Sequence, residues 1–309
     1  MQCDKCRHEA FVFQPYSGLH LCPDHFIRDL EAKAKRTIRL HGWLRPGDHI
    51  AVVLTGSPAD FALLSFLKKL TGRRRDVRIS ALTVDPGIGG FAVTGYAKRT
   101  ADSCGSVLFT GSFAVRYGIT LDEIAQREGP ADACSACRVL RNDLIGEIAR
   151  EHGVTRCAFA GTLDDCAGAF FSGMLKGTPE KAFVSCDTVG ITRMPVISPF
   201  EEVPGVEVAR YAELLPEYSP LAEEGKCVPN PCPYECSGSF EKEMSSVLET
   251  FDRKHPATKF ALANLARTLA GIPGGKDRTV VCPSCKKPLE NGNCYACGVR
   301  RNYRKEIGT

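Results

Sequence analysis

The sequence has 309 residues, of which 25% are charged and 43% are apolar, and its formal net charge is +4. This length allows one or two domains with a full hydrophobic core, and the net charge alone is too small to indicate a nucleic-acid partner. The sequence has no run of about 18 apolar residues and no apolar segment behind Met1. We therefore expect neither membrane spanning nor secretion, and a cytoplasmic location.

The first 28 residues contain two pairs of residues with the spacing of metal ligands. Cys3 and Cys6 form a C-x-x-C pair, and Cys22 and His25 form a C-x-x-H pair. Such spacing lets two side chains of one tight turn reach a single ion, and two turns complete a tetrahedron around zinc. The pattern predicts a zinc finger, and the alternative is a set of reduced surface cysteines beside His25. Apolar residues at helical spacing then predict a linking helix over 26–40.

A strand, a tight loop and a helix open the middle of the chain. Residues 50–54 are an uncharged, β-branched run, residues 55–60 are mostly small turn formers, and residues 61–70 are amphipathic. The first such loop of an α/β fold often binds phosphate, because its backbone N–H groups and the helix N-terminus both favour an anion. The backbone of Gly56 and Ser57 is therefore a candidate nucleotide contact.

Strand-like and helix-like segments alternate from residue 47 to about residue 220. We expect strands over 77–85, 106–110, 156–160 and 191–197, and helices ending near 101 and 175 and over 139–151 and 207–215. This alternation predicts an α/β fold, a parallel sheet with helices on both faces. Cys134 and Cys137 stand in the turn region before the helix over 139–151. Acids at strand ends, Asp85 and the pair Asp164 and Asp165, are candidate Mg²⁺ ligands, with helix N-capping as the alternative for Asp164.

The last third of the chain is rich in Pro, Gly and Cys. Residues 216–240 cannot form long regular elements, and a helix is predicted over 240–269. After a glycine-rich linker come two C-x-x-C pairs, formed by Cys282, Cys285, Cys294 and Cys297. They predict a second zinc module. We therefore divide the chain into an N-terminal zinc finger (1–28), an α/β catalytic domain (29–270) and a C-terminal zinc finger with a basic tail (276–309).

Several motifs occur in the order of one known family. They are the first four metal ligands, Asp85-Pro-Gly-Ile-Gly-Gly-Phe91, Cys134-Ser-Ala-Cys137 followed by Arg141, Leu163-Asp-Asp165, Cys232-Pro-Tyr234, Pro256-Ala-Thr-Lys259 and the last four cysteines. The chain resembles the tRNA 2-thiouridine sulfurtransferases of the TtuA type, a branch of the PP-loop ATPases with a zinc finger at each end. The resemblance implies the PP-loop fold of the adenine nucleotide alpha hydrolases, and a homodimer.

The resemblance also implies an iron–sulfur enzyme that acts on tRNA. The family adenylates the C2 oxygen of a tRNA uridine with ATP and replaces it by sulfur on a [4Fe–4S] cluster, with a ubiquitin-like protein as sulfur carrier. The three cluster ligands fall on Cys134, Cys137 and Cys232, and three thiolates leave one iron open for sulfur. The alternatives are structural zinc or a redox pair. Three further cysteines are candidates for a fourth ligand: Cys166, Cys227 and Cys236.

By the same resemblance the nucleotide contacts fall on Thr55, Gly56, Ser57, Asp60, Asp85, Gly161, Asp164 and Asp165. The family loop reads Ser-Gly-Gly-Lys-Asp-Ser, whereas here Pro58 replaces the Lys and Ala59 replaces the Asp. Pro58 offers neither a charge nor an N–H donor. Because electrostatic stabilisation of the transferring phosphate is usually the largest catalytic effect, this loop argues against ordinary ATP-driven adenylation.

Three functions remain open at this point. The first is tRNA thiolation by a cluster enzyme, which follows from the largest part of the chain and is the main prediction. The second is a diverged paralogue that uses the cluster for sulfur handling or desulfuration without adenylation. The third is a non-catalytic protein, since zinc modules with neighbouring basic residues also bind RNA.

Overall fold

The structure, a computed structural model, describes residues 1–91, 93–177, 194–218, 232–234, 240–270, 282–284 and 294–303. Its strands are β1 (Val12–Gln14), β2 (Leu19–Leu21), β3 (His49–Val53), β4 (Arg78–Asp85), β5 (Leu108–Ser112), β6 (Arg156–Ala158) and β7 (Val196–Ile197). Its helices are α1 (Pro23–His41), α2 (Pro58–Thr71), α3 (Val93–Ser103), α4 (Phe113–Tyr117), α5 (Leu121–Glu128), α6 (Pro130–Glu151), α7 (Leu163–Leu175), α8 (Gly205–Glu213), α9 (Phe240–Lys254), α10 (Thr258–Ala270) and α11 (Tyr295–Tyr303). Within these described ranges, no helix has the length and apolar character needed to cross a membrane.

Five strands form one parallel sheet in the order β5-β4-β3-β6-β7. The chain builds outward from β3 through β4 to β5 and then returns to the other side of β3 with β6. The strand order therefore reverses between β3 and β6, and in open α/β sheets ligands bind beside the carboxyl ends of the strands at such a point. The loop after β3 and the loop after β6 both lie there.

The residues of β3 alternate between two hydrophobic clusters because successive side chains of a strand point to opposite faces. Ile50 and Val52 belong to a cluster with α1, α2 and α8, whereas Ala51 and Val53 belong to one with α5 and α6. All five β3 residues are buried. The sheet is thus covered on both faces, as the sequence predicted.

The N-terminal module is fixed to the main domain by a buried polar network. The Tyr16 hydroxyl donates to Glu207 Oε1 at 2.6 Å, and Gln14 Nε2 donates to Glu207 Oε2 at 3.3 Å. Lys33 Nζ lies 3.5 Å from the same carboxylate and 2.7 Å from Asp29. Burial raises the pKa of Glu207 and the charge of Lys33 opposes the rise. Every charge here has a partner, which a buried charge requires.

The strand, loop and helix predicted for residues 50–70 are confirmed, with the helix beginning at Pro58. The single helix predicted over 240–269 is wrong, because the chain forms α9 and α10 on either side of Pro256, whose ring and missing N–H interrupt a helix. The turn predicted around Cys134 and Cys137 is also wrong. Both lie inside α6, which begins at Pro130, and proline is favoured as a first helical residue. Of the strand predicted over 191–197, only Val196–Ile197 is seen, and residues 191–193 lie outside the described residues.

Candidate functional site

The loop between β3 and α2 is wrapped around one carboxylate, that of Asp60. Its Oδ2 atom accepts hydrogen bonds from three backbone N–H groups, those of Thr55 at 2.6 Å, Gly56 at 3.0 Å and Ser57 at 3.0 Å. The same oxygen accepts the Thr55 hydroxyl at 3.0 Å. Asp60 is only 3% exposed, and burial raises the pKa of its carboxyl group while the hydrogen bonds from the loop oppose the rise. The four predicted nucleotide contacts of this loop therefore contact one another.

The acids predicted at the strand ends make local bonds. Asp85 Oδ1 accepts the N–H of Gly87 at 2.8 Å within the loop after β4. Asp165 Oδ2 accepts the N–H and the hydroxyl of Thr162 at 2.7 and 2.8 Å, which completes a capping box at the start of α7. The N-cap of α7 is thus Thr162 with Asp165 as its capping-box partner, and Asp164 does not cap this helix.

Asp164 joins three helices instead. Its Oδ2 atom accepts the N–H of Gly205, the first residue of α8, at 2.5 Å, and its Oδ1 atom lies 2.5 Å from Lys259 Nζ of α10. Burial lowers the pKa of Lys259, but its pair with Asp164 outweighs that and holds the value above the ordinary one. The nearby Gly161 follows β6, and a Cβ atom there would lie 3.5 Å from Ser198 Oγ. A cation thus stands beside the loop after β6.

Two of the three proposed cluster cysteines lie on one face of α6. Cys134 and Cys137 are three residues apart, which places neighbouring side chains on the same side of a helix. Because α6 leads into the amino end of β6, its first turns, with both thiols, lie toward the carboxyl edge of the sheet. Cys137 and Cys232 both pack against the second hydrophobic cluster.

These three thiols also affect one another's protonation. Burial raises the pKa of Cys137 to about 11; the charge of Arg141 opposes the rise, and the neighbouring Cys232 and Cys134 add to it. The three sulfur atoms are not drawn together as closely as those of the two metal-binding ends. The thiolates of a [4Fe–4S] cube each bind a different iron, so they need not converge on one ion. Three thiols on a partly apolar surface therefore fit such a cluster.

The segment that carries Cys232 is held by Asp122, a residue at the start of α5. Its Oδ1 atom accepts the Tyr234 hydroxyl at 2.7 Å, and its Oδ2 atom accepts the N–H of Gly89 at 2.8 Å. The hydrogen bond to Asp122 raises the pKa of the Tyr234 hydroxyl. Asp122 thus connects the loop after β4 with the segment that carries the third thiol. No pattern in the sequence marks this residue, since acids are common in the first turn of any helix.

The N-terminal ligands form a compact site. Cys3, Cys6, Cys22 and His25 have their ligand atoms within 4.8 Å of one another. His25 Nδ1 lies 3.3 Å from Cys22 Sγ and 3.5 Å from Cys3 Sγ. Although burial opposes it, hydrogen bonds from backbone N–H groups of Cys22 and Lys5 lower the pKa of Cys3 to about 6. The thiolate, which is the form that binds metal, is therefore favoured at neutral pH.

The C-terminal cysteines form a second such group, in a module that packs against α6. Cys282, Cys294 and Cys297 also come within 4.8 Å of one another, with Cys285 outside the described residues. Arg300 of α11 pairs with Asp143 of α6, and the adjoining Tyr303 donates to Glu128 of α5. The module therefore contacts the helix that bears Cys134 and Cys137. Among the other candidates for a cluster ligand, Cys166 is half-buried on α7, and Cys227 and Cys236 lie outside the described residues.

Comparison with known proteins gives a consistent set of relatives. Residues 2–27 match the family model described as "2-thiouridine synthetase TtuA, N-terminal LIM domain". The chain is 28% identical to the tRNA 2-thiolation protein NcsA of Haloferax volcanii over 96% of this chain and 97% of that protein. It is 26% identical to the tRNA-5-methyluridine(54) 2-sulfurtransferase of Pyrococcus horikoshii over 96% and 93% of the two chains. The solved structure of the U34-tRNA thiolase NcsA from Methanococcus maripaludis, with its [4Fe–4S] cluster, superposes with a TM-score of 0.79 at 25% identity and covers 98% of this chain and 96% of its own.

Proposed function

Because the chain belongs to the TtuA and NcsA family of tRNA 2-thiolation proteins, we propose that it transfers sulfur to C2 of a uridine in tRNA. The observation that carries the proposal is the position of Cys134 and Cys137 in the first turns of α6, toward the carboxyl edge of the parallel sheet, with Cys232 packed against the same hydrophobic cluster as Cys137. That edge is where an α/β sheet binds its substrates. The three thiols then lie where the tRNA substrate would be bound.

A [4Fe–4S] cluster bound by three thiolates supplies an iron with an open position that can carry sulfide. The protein contributes the geometry and the charge around it. The charge of Arg141, one helical turn beyond Cys137, favours the thiolate form of that ligand. Asp122 fixes Tyr234 and with it the short segment that carries Cys232. Asp122 is therefore proposed as a positioning residue for the third ligand.

The two ends of the chain are proposed to bind zinc and to contact tRNA. Four ligands of the N-terminal module and three described thiols of the C-terminal one match the N/S donor sets that zinc prefers. Arg301 is an exposed cation four residues after the last of these thiols, and cations near such modules bind the RNA backbone. A ubiquitin-like sulfur carrier, a homodimer and a cytoplasmic location complete the proposal by analogy with the family.

Iron, sulfide and zinc analysis of anaerobically reconstituted protein tests the proposal directly, together with thiolation of tRNA by a sulfide source. We expect about four iron and four sulfide per chain in addition to zinc. Cys232→Ser should lose most of the iron and all thiolation while it keeps its zinc. Cys104→Ser is the matched control, because Cys104 is a half-buried single thiol outside the site. Equal iron content in the two variants, or no thiolation by the iron-loaded protein, would overturn the proposal.

A further inference from the structure

Every backbone N–H group from residue 55 to residue 60 has a partner inside the loop. Those of residues 55, 56 and 57 donate to Asp60, as described above. The N–H of Ala59 donates to Ser57 Oγ at 3.1 Å, and that of Asp60 donates to the Ser57 carbonyl at 3.0 Å. Pro58 has no N–H. A phosphate group binds a loop of this kind by accepting its N–H groups, so here the donors of a phosphate site are already used.

Two other capping boxes in the molecule show that Asp60 does more than cap a helix. Glu123 at α5 and Asp165 at α7 each accept one backbone N–H and one hydroxyl, from Thr120 and Thr162 respectively. Asp60 accepts one hydroxyl and three N–H groups through a single oxygen. In α2 the N-cap is Ser57, so the two additional N–H groups are those of Thr55 and Gly56, and they are donors that a loop before a helix would present to an anion. The carboxylate therefore lies where an anion would bind.

We propose that Asp60 is a specificity-determining residue that excludes di- and triphosphate groups from this loop by occupying the phosphate position with its own carboxylate. A nucleotide phosphate has to displace a nearly fully buried carboxylate from four donors, and the two negative groups repel each other. Pro58 supplies no cation to offset that repulsion. The inference rests on the proposed function only for the kind of ligand, since adenylation would bring a triphosphate to this loop.

Binding of inorganic pyrophosphate and of ATP with Mg²⁺ to the full-length protein tests the proposal, measured by titration calorimetry at neutral pH. Asp60→Ser removes the carboxylate and keeps a hydroxyl at the start of α2. We expect this variant to bind pyrophosphate at least about tenfold more tightly than the unchanged protein, which corresponds to about 1.4 kcal/mol. ATP should change in the same direction.

A second variant keeps the test decisive if Asp60→Ser does not fold. Asp60→Asn retains an acceptor oxygen of the same reach but removes the charge, and it should bind pyrophosphate more tightly than the unchanged protein and less tightly than Asp60→Ser. Glu123→Gln alters a capping box of the same kind at α5 and should leave pyrophosphate binding unchanged. The proposal is overturned if the unchanged protein binds pyrophosphate as tightly as the variants. The titration needs neither cluster nor tRNA, so its outcome is independent of the thiolation assay.

Discussion

The loop after β4 contains one glycine whose replacement should be costly for two separate reasons. Gly87 has a φ of +74°, which side-chain-bearing residues rarely adopt, and a Cβ atom there would lie 2.8 Å from both Cβ and Cγ2 of Thr120. Thr120 cannot easily move away, because it is the N-cap of α5 and its side chain accepts from Glu123 N at 3.2 Å. Gly87→Ala therefore adds a strained backbone conformation to a steric overlap.

The expected loss in the free energy of unfolding is the sum of these two contributions. A left-handed conformation costs a non-glycine residue about 1–2 kcal/mol, and overpacking costs about 1–3 kcal/mol, so the expected total is about 2–5 kcal/mol. Gly90→Ala is the matched control: its φ is +77°, but a Cβ atom there meets nothing within 4 Å. That variant should be destabilised only by the strained backbone conformation, by about 1–2 kcal/mol.

Thermal unfolding followed by circular dichroism separates the two variants. With about 2–4 °C lost per kcal/mol in domains of about 150–250 residues, Gly87→Ala should lower Tm by about 10 °C and Gly90→Ala by about 4 °C. Adding Thr120→Ser, which removes Cγ2, should restore part of the loss at Gly87. Equal losses in the two alanine variants would refute the argument, since the overlap with Thr120 would then contribute nothing.

Two further predictions concern the metal site and pH. Cys22→Ser should release the N-terminal metal, as measured by metal analysis, and lower Tm more than Cys104→Ser does, because Cys22 Sγ lies 3.3 and 3.6 Å from two other ligand atoms, His25 Nδ1 and Cys6 Sγ. Burial acts to raise the pKa of Asp48, but hydrogen bonds from Arg45 N and Thr155 and the charge of Arg156 hold it below the ordinary value. A depressed folded-state pKa stabilises above the unfolded value of about 4, so Asp48→Asn should destabilise the protein at pH 7 and the difference should shrink as pH falls below about 4. Urea denaturation of both proteins at several pH values checks this, and a difference independent of pH would contradict it.

The sequence was sufficient for the alternation of strands and helices in the sheet and for the grouping of the N-terminal cysteines and histidine. A short, uncharged apolar run predicts a strand that is buried on both faces, and β3 is such a strand. The C-x-x-C and C-x-x-H spacings encode local geometry, so the meeting of Cys3, Cys6, Cys22 and His25 was predictable. The break at Pro256 was also visible in the sequence, because proline interrupts a helix.

Contacts between segments far apart in the chain could not be predicted from the sequence. The pairing of Asp164 with Lys259 joins residues 95 positions apart, and nothing local to either residue signals the other. Asp60 was assigned to a nucleotide by position in a motif, although the pattern of Ser57 followed three residues later by an acid is also that of a capping box. The local pattern names the donors and acceptors, but only the fold shows that one carboxylate takes three N–H groups.

The two oxygens of Asp122 have a consequence for how the site responds to ligands. One oxygen holds the backbone of Gly89 in the loop after β4, and the other holds Tyr234, two residues from the third thiol. The two segments therefore share one anchor, and a ligand that favours the anchored position of either segment favours that of the other. Such coupling is reciprocal in free energy, so the factor by which a loop ligand changes the affinity of the thiols for the proposed cluster equals the factor by which the cluster changes the affinity for that ligand.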